Sequence, residues 1–224
     1  MVTLKGVYEP PTLVAEERIE RAPALEVIKR QPKQVILAAL ARMGEQVPAY
    51  IYLAFVVAYG TQVLHQPRDF LLTALAGLVS FVTSPLSGHL SDRFGRKRIY
   101  LIGSVATGIF GFIYFAMLNT MVPGWIFLGI VLSFVPHDVM YGPQAALIAE
   151  CFTPRLRYSG SSIGYQLASV IAGGPAPLIA TALLAATGSG YVIAGYIAFC
   201  AVVSIIATAL LPDYTNREIS QEHA

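Results

Sequence analysis

The sequence predicts an all-α polytopic membrane protein with six transmembrane helices, and three observations carry that prediction. Hydrophobic residues make up 55% of the 224-residue chain and charged residues 12%, with a mean hydropathy of +0.62. An ordinary soluble domain is about 25% charged. Apolar runs of about 20 residues, the length that crosses a bilayer, recur at roughly 34–60, 70–89, 99–118, 125–149, 160–186 and 191–211. Short connections separate them, and the basic residues collect in alternate connections.

Those bases orient the bundle. Residues 1–33 carry Lys5, Arg18, Arg21, Lys29, Arg30 and Lys33. The second connection carries Arg93, Arg96, Lys97 and Arg98, the fourth Arg155 and Arg157, and the tail Arg217. Thirteen bases thus fall on one side, against Arg68 on the other. Lys and Arg mark cytoplasmic loops, so both termini are expected inside the cell. The organisation is then a cytoplasmic linker over 1–33, a six-helix bundle over 34–211 and a cytoplasmic tail over 212–224. The linker contains prolines and a mildly amphipathic stretch from Glu16 to Arg30, which suits a short surface helix. It lacks the apolar core of a signal peptide, so insertion is expected to rely on the internal helices. Cys151 and Cys200 lie far apart in or beside apolar runs and suggest neither a disulfide framework nor a metal cluster.

An ionisable residue within a span is costly and marks a functional hypothesis. The first span holds Arg42 and Glu45, three apart and able to meet on one face. That face continues through Ala49, Tyr52, Val56 and Tyr59, a stripe suited to an aqueous cavity or to a structural ion pair between packed helices. Pro48 is expected to kink the helix between its two parts. In the fourth span His137 and Asp138 fall near the middle, and His137, Tyr141 and Gln144 share a face. Pro136 and Gly142-Pro143 bracket them and are expected to break the helix there, as transporter sites require. Histidine changes charge near neutral pH, so His137 and Asp138 are candidates for solute or proton handling. The plainer alternative is a buried histidine bonded to a neighbouring helix. Because adjacent residues point about 100° apart, one of the two is expected to face the cavity. The fifth span places Tyr165, Ser169 and Gly173 on one face with Gln166 beside them, then is interrupted by Gly173-Gly174-Pro175-Ala176-Pro177, a hinge candidate. Gly160 and Gly164 form a pair suited to close helix packing. The third and sixth spans offer no chemistry and read as scaffold.

Gly88-His89-Leu90-Ser91-Asp92-Arg93-Phe94-Gly95-Arg96-Lys97-Arg98 reads as a tight cytoplasmic turn, and it resembles the loop signature of the major facilitator superfamily of secondary transporters. Tyr141-Gly142-Pro143-Gln144-Ala145-Ala146, Glu150, Pro154 to Gly160, Gly164 to Leu167 and Gly173 to Ala180 resemble one branch of it, the metabolite:proton symporters. Members of that branch move dicarboxylates, citrate, oxoglutarate, shikimate, proline or betaine. The resemblance covers nearly the whole chain but only the second of the two six-helix halves. It implies a binding site between halves and rocking of one half against the other. It also implies a separate first half, or self-association, as the partner. Asp92 matches a loop aspartate that meets a helix end across the half-to-half interface, and is expected to lack that partner here. Arg93 and Arg96 are then left with local partners, and Glu150, Arg155 and Arg157 form a second gating cluster able to pair within the chain. Gly88 and Gly95 belong to the same signature. A small residue is expected after the family's histidine, so Asp138 is a departure.

The function this supports is half of a proton-coupled symporter in a bacterial inner membrane, moving a small polar or anionic metabolite. Arg42 is the candidate anion partner and Glu45 or Asp138 the proton carrier. His137, Tyr141, Gln144, Tyr52 and Gln166 are the candidate cavity lining. The expected partners are the bilayer, a small solute and a first half, with the proton as coupling ion and no cofactor. The alternative is a truncated, transport-inactive bundle acting only by association. The chain offers no metal-ligand cluster, no nucleophile with its base and no phosphate-binding glycine loop, which argues against an enzyme. Its bases are accounted for by topology, which argues against nucleic-acid binding.

Overall fold

The computed structural model describes residues 23–62, 65, 67 and 79–212. These residues form helices joined by short turns, with no strand among them. The expected tail, residues 1–22, Arg68 and the first part of the second span lie outside the described residues.

The short helix α1 (Pro23–Arg30) precedes α2 (Pro32–Tyr50), and α2 runs on through a π-helical turn, Ile51–Phe55, into α3 (Val56–Gln62). The first span is therefore one continuous rod. Pro48 lies inside it and has no N–H to donate. Just beyond it the ladder widens, where the Val56 N–H reaches Ile51 O. Of the second span, α4 (Val79–Phe94) is described, and α5 (Arg96–Leu118) follows after a single residue. That residue is Gly95, at φ +98°, a left-handed backbone that glycine enters without steric cost. The signature residues Gly88 to Phe94 thus form the last turns of a helix rather than the loop expected from their charge. The helix projects beyond the apolar zone, and only the turn at Gly95 is non-helical.

Helix α6 (Pro123–Glu150) is unbroken over 28 residues despite Pro136 and Pro143, contrary to the expected interruption. Each proline removes one donor, and packing along α4 and α5 holds the rest of the ladder. The fifth span is interrupted where expected. Helix α7 (Arg157–Ala168) passes through a second π turn, Ser169–Gly173, to α8 (Ala176–Thr187). Pro175 and Pro177 offer no N–H, and the Gly174 N–H reaches back to Ser169 O at 2.8 Å. Gly188, at φ +66°, ends α8, and α9 (Gly190–Leu210) follows. By length and composition Arg96–Leu118, Pro123–Glu150, Arg157–Thr187 and Gly190–Leu210 can each cross a membrane. The chain is a multi-pass membrane protein.

Helix α9 packs between α5 and α2, and α2 also contacts α7. Glycines allow the closest approaches. A Cβ on Gly111 would sit 3.3 Å from Ile197 Cγ2, and one on Gly164 3.0 Å from Ala38 Cβ. A Cβ on Gly160 would meet the ring of Phe152 in the α6–α7 connection, so of the expected pair Gly164 packs helix on helix and Gly160 packs on that connection. Cys151 and Cys200 are both free and buried.

Candidate functional site

One face of α2 and one face of α6 bring five sequence-predicted residues together. Arg42 Nη2 lies 3.5 Å from Glu45 Oε2, one turn along α2. Gln144 of α6 donates to Glu45 Oε2 at 3.0 Å and accepts from Arg42 Nε at 3.3 Å. His137 Nε2 faces Glu45 Oε1 at 3.2 Å, and its Nδ1 faces Asp138 Oδ1 at 3.0 Å. Asp138 in turn accepts from the Thr83 hydroxyl of α4. A continuous polar chain therefore runs Arg42, Glu45, His137, Asp138, Thr83, with Gln144 tying its first two members. His137 and Asp138 both join it, although adjacent residues diverge, because the imidazole swings toward its neighbour's carboxylate.

Arg42 does not face an open cavity as an anion partner would. It is buried, and all three guanidinium nitrogens are engaged: Nη1 donates to Tyr165 O at 3.0 Å, and the group lies 3.9 Å over the Tyr165 ring. Tyr165 is thereby part of the site as its lid over Arg42. The site opens instead beside His137, into a recess of about 310 Å³ lined by Ser80, Phe81, Ser84, Phe134, His137, Asp138 and Tyr141. Tyr141 stacks on the His137 ring at 5.7 Å and is half exposed.

Two expected lining residues stand elsewhere. Tyr52 is buried against Tyr114, ring centroids 4.7 Å apart, within an apolar core, because α5 covers that level of α2. Gln166 is exposed, since the face that meets α2 is taken by its neighbour Tyr165. Conversely, Tyr100 joins the site without a sequence signal: its hydroxyl donates to Ala41 O at 2.9 Å and lies 3.5 Å from Gln144 Nε2. Thr83 and Tyr100 are ordinary helix residues whose role depends on what stands opposite.

The basic end carries a second network. Asp92 pairs with Arg96 one turn on, at 3.0 Å, so it has a local partner. Arg96 also pairs with Glu150, which joins the α4–α5 turn to the end of α6. Arg155 lies 3.6 Å from Glu26 of α1. Arg157 has Nε and Nη2 buried without a hydrogen-bond partner, and Arg93 is exposed. Of the expected cluster, Glu150 pairs with Arg96 and Arg155 with Glu26. Gly88 lies against Gly142, where a Cβ on Gly142 would come 2.7 Å from Gly88 N. Lys97, read in the sequence only as a topological base, donates to Ala209 O and Leu211 O at 2.8 and 2.7 Å, capping α9 with a cation where the helix dipole is negative. Among the described residues no group of His, Cys, Asp and Glu is placed to hold a metal.

Residues 34–223 match the Major Facilitator Superfamily. The chain is 34% identical over 198 residues to a shikimate transporter of Escherichia coli, covering 87% of this chain and 45% of that one. It is 29% identical over 179 residues to an E. coli proline/betaine transporter, covering 79% and 36%. It is 27% identical over 183 residues to a citrate-proton symporter of Klebsiella pneumoniae, covering 80% and 41%. The chain spans less than half the length of each of these relatives.

Proposed function

Since the chain belongs to the major facilitator superfamily, we propose that it forms one six-helix half of a proton-coupled carrier for a small carboxylate-bearing metabolite, in a bacterial inner membrane with both ends on the cytoplasmic side. The cited relatives are named as transporters of shikimate, of proline and betaine, and of citrate with protons. Each of those solutes carries a carboxylate.

The observation that carries the reading is the polar chain through α2, α6 and α4. Its permanent charges do not balance: one cation, Arg42, stands among two acids, Glu45 and Asp138. One further proton makes the cluster neutral, and neutrality is strongly favoured within a bilayer. His137 faces a carboxylate oxygen from each ring nitrogen, so a proton can pass among the three groups without large motion. Arg42, enclosed by Tyr165 and Gln144, holds Glu45 in place. The solute meets His137 and Tyr141 in the recess. An anion entering there adds negative charge unless a proton enters with it, and that coupling is symport.

In this reading the second half is supplied by a further six-helix bundle that faces α2, α4, α6 and α7, and the two rock about the recess. The test is uptake of labelled shikimate, proline and citrate into proteoliposomes under a pH gradient, with this chain alone and with a matching first half. Gradient-driven uptake by the pair, lost in Asp138→Asn and in His137→Gln, is the expected result. Uptake indifferent to both substitutions overturns the assignment. Silence in both preparations supports the alternative of a transport-inactive bundle.

A further inference from the structure

Three tyrosines form a row between the first and third spans, away from the recess. Tyr59 of α3 donates to Asn119 Oδ1 at 3.2 Å, and Asn119 is exposed just past the end of α5. This end of the bundle is the one opposite the basic turns. Tyr114 of α5 lies one turn inward, its ring beside that of Phe115, which the Tyr59 ring meets edge-on with centroids 6.1 Å apart. Its ring packs on Tyr52 with centroids 4.7 Å apart. Tyr52 and Tyr114 are 2% and 1% exposed, and neither hydroxyl has a hydrogen-bond partner. Gln46, beside Glu45 in the chain, likewise has a buried Oε1 without one.

Two orphaned hydroxyls at one depth are a costly arrangement if dry. A buried polar group left unpaired loses its solvation without compensation. Buried waters are what ordinarily satisfy such groups, typically with about three hydrogen bonds each. Tyr52 and Glu45 also share one face of the first span, seven residues apart and before the widened bond of the π turn. From Tyr52 to Glu45 is two turns, about 10 Å, and the one residue of that face between them is the small Ala49. The row thus points from an exposed amide at one end of the bundle to the carboxylate of the polar chain.

We propose that the Tyr52 and Tyr114 hydroxyls hold water inside this half, and that the hydrated row Asn119, Tyr59, Tyr114, Tyr52 is a proton path to Glu45 separate from the solute's route through the recess. A hydroxyl can donate one proton while accepting another, so transfer along the row changes no group's net charge and needs no further reactant. This inference rests on the transport reading for its purpose, and on the orphaned hydroxyls for its existence.

The test uses Tyr114→Phe and Tyr52→Phe, which keep the rings and remove the hydroxyls. In proteoliposomes holding this chain with a matching first half and an entrapped pH dye, solute-coupled proton entry is measured with whichever of shikimate, proline or citrate is transported. Tyr114→Phe is expected to lose most of that proton entry while exchange of labelled for unlabelled solute, without a gradient, continues at the wild-type rate. Equal losses of both, or of neither, overturn the path. A second measurement is independent of transport: the melting temperature of the purified chain. Removing a dry, orphaned hydroxyl raises it; removing one that holds water leaves it unchanged or lowers it. A rise in both Phe variants overturns the proposal even if the pair moves no solute, whereas silent transport with no rise removes the transport reading and leaves the hydrated site standing.

Discussion

The chain carries charge in two places, and the same residue types do different things in each. At the basic end, Asp92 pairs with Arg96 while 62% exposed, and Arg155 reaches Glu26 from a half-exposed position. In the middle of the bundle Glu45 is 4% exposed and takes contacts from Arg42, Gln144 and His137. Water screens the exposed members of the first network, Asp92 and Arg155, so these are replaceable individually. The second has exchanged water for a fixed set of partners, so removing one member strands the others. What distinguishes a topological charge from a working one here is the number of protein groups that have taken the place of solvent.

The contrast breaks most visibly if one partner of the buried set is deleted. Glu45→Ala leaves Arg42 buried beside Gln144 with no counter-charge and is expected to destabilise the bundle by about 3–5 kcal/mol, read by denaturation in mild detergent. A rescue of most of that loss by Arg42→Met with Glu45→Ala would show that the stranded charge, rather than lost packing, is the cause. Next in size is the contact that seats α4 against α6. Gly142→Ala places a Cβ 2.7 Å from Gly88 N and 2.8 Å from Ser84 O. Backbone atoms cannot swing aside, so about 1–3 kcal/mol is expected, while Gly124→Ala, with open space around it, is expected to cost nothing measurable in the same melt. Lys97→Met removes the cap on the last carbonyls of α9 and is expected to cost about 0.5–1 kcal/mol, with earlier hydrogen exchange at 207–211. Smallest is Asp92→Asn, an exposed pair worth about 0.2–1 kcal/mol. A cost equal to that of Glu45→Ala would erase the distinction between the two regions.

Much of this was readable in the residues. Runs of apolar residues located the four helices long and apolar enough to cross a membrane, and the i, i+3 spacing brought Arg42 to Glu45. The Gly173 to Pro177 interruption lies where the prolines remove donors. What stands opposite a helical face was not readable, because periodicity gives a direction and not a neighbour. Along one face of the first span, Glu45 meets Gln144 of α6 but Tyr52 meets Tyr114 of α5, so the stripe passes from the charge cluster to packed aromatic rings. The same limit hid Thr83 and Tyr100. Charge density misled at Gly88 to Phe94, since a helix that projects past the apolar zone carries charge as readily as a loop. Proline misled in α6, where neighbours on both sides hold the helix through the missing donors.

The π turn at Ile51–Phe55 also sets a rotational phase. Each residue in a helix turns the chain by about 100°, and the wide turn holds one more residue than a regular one. Deleting a single residue within 51–55 would let the ladder close as an ordinary helix and rotate everything beyond it by that angle. Tyr59 would leave Asn119 and face another neighbour, while Arg42 and Glu45 kept their places. Related chains that differ by one residue at this point would therefore share the buried charge cluster and differ in what occupies the far end of the first helix, a divergence that an alignment would record as one gap.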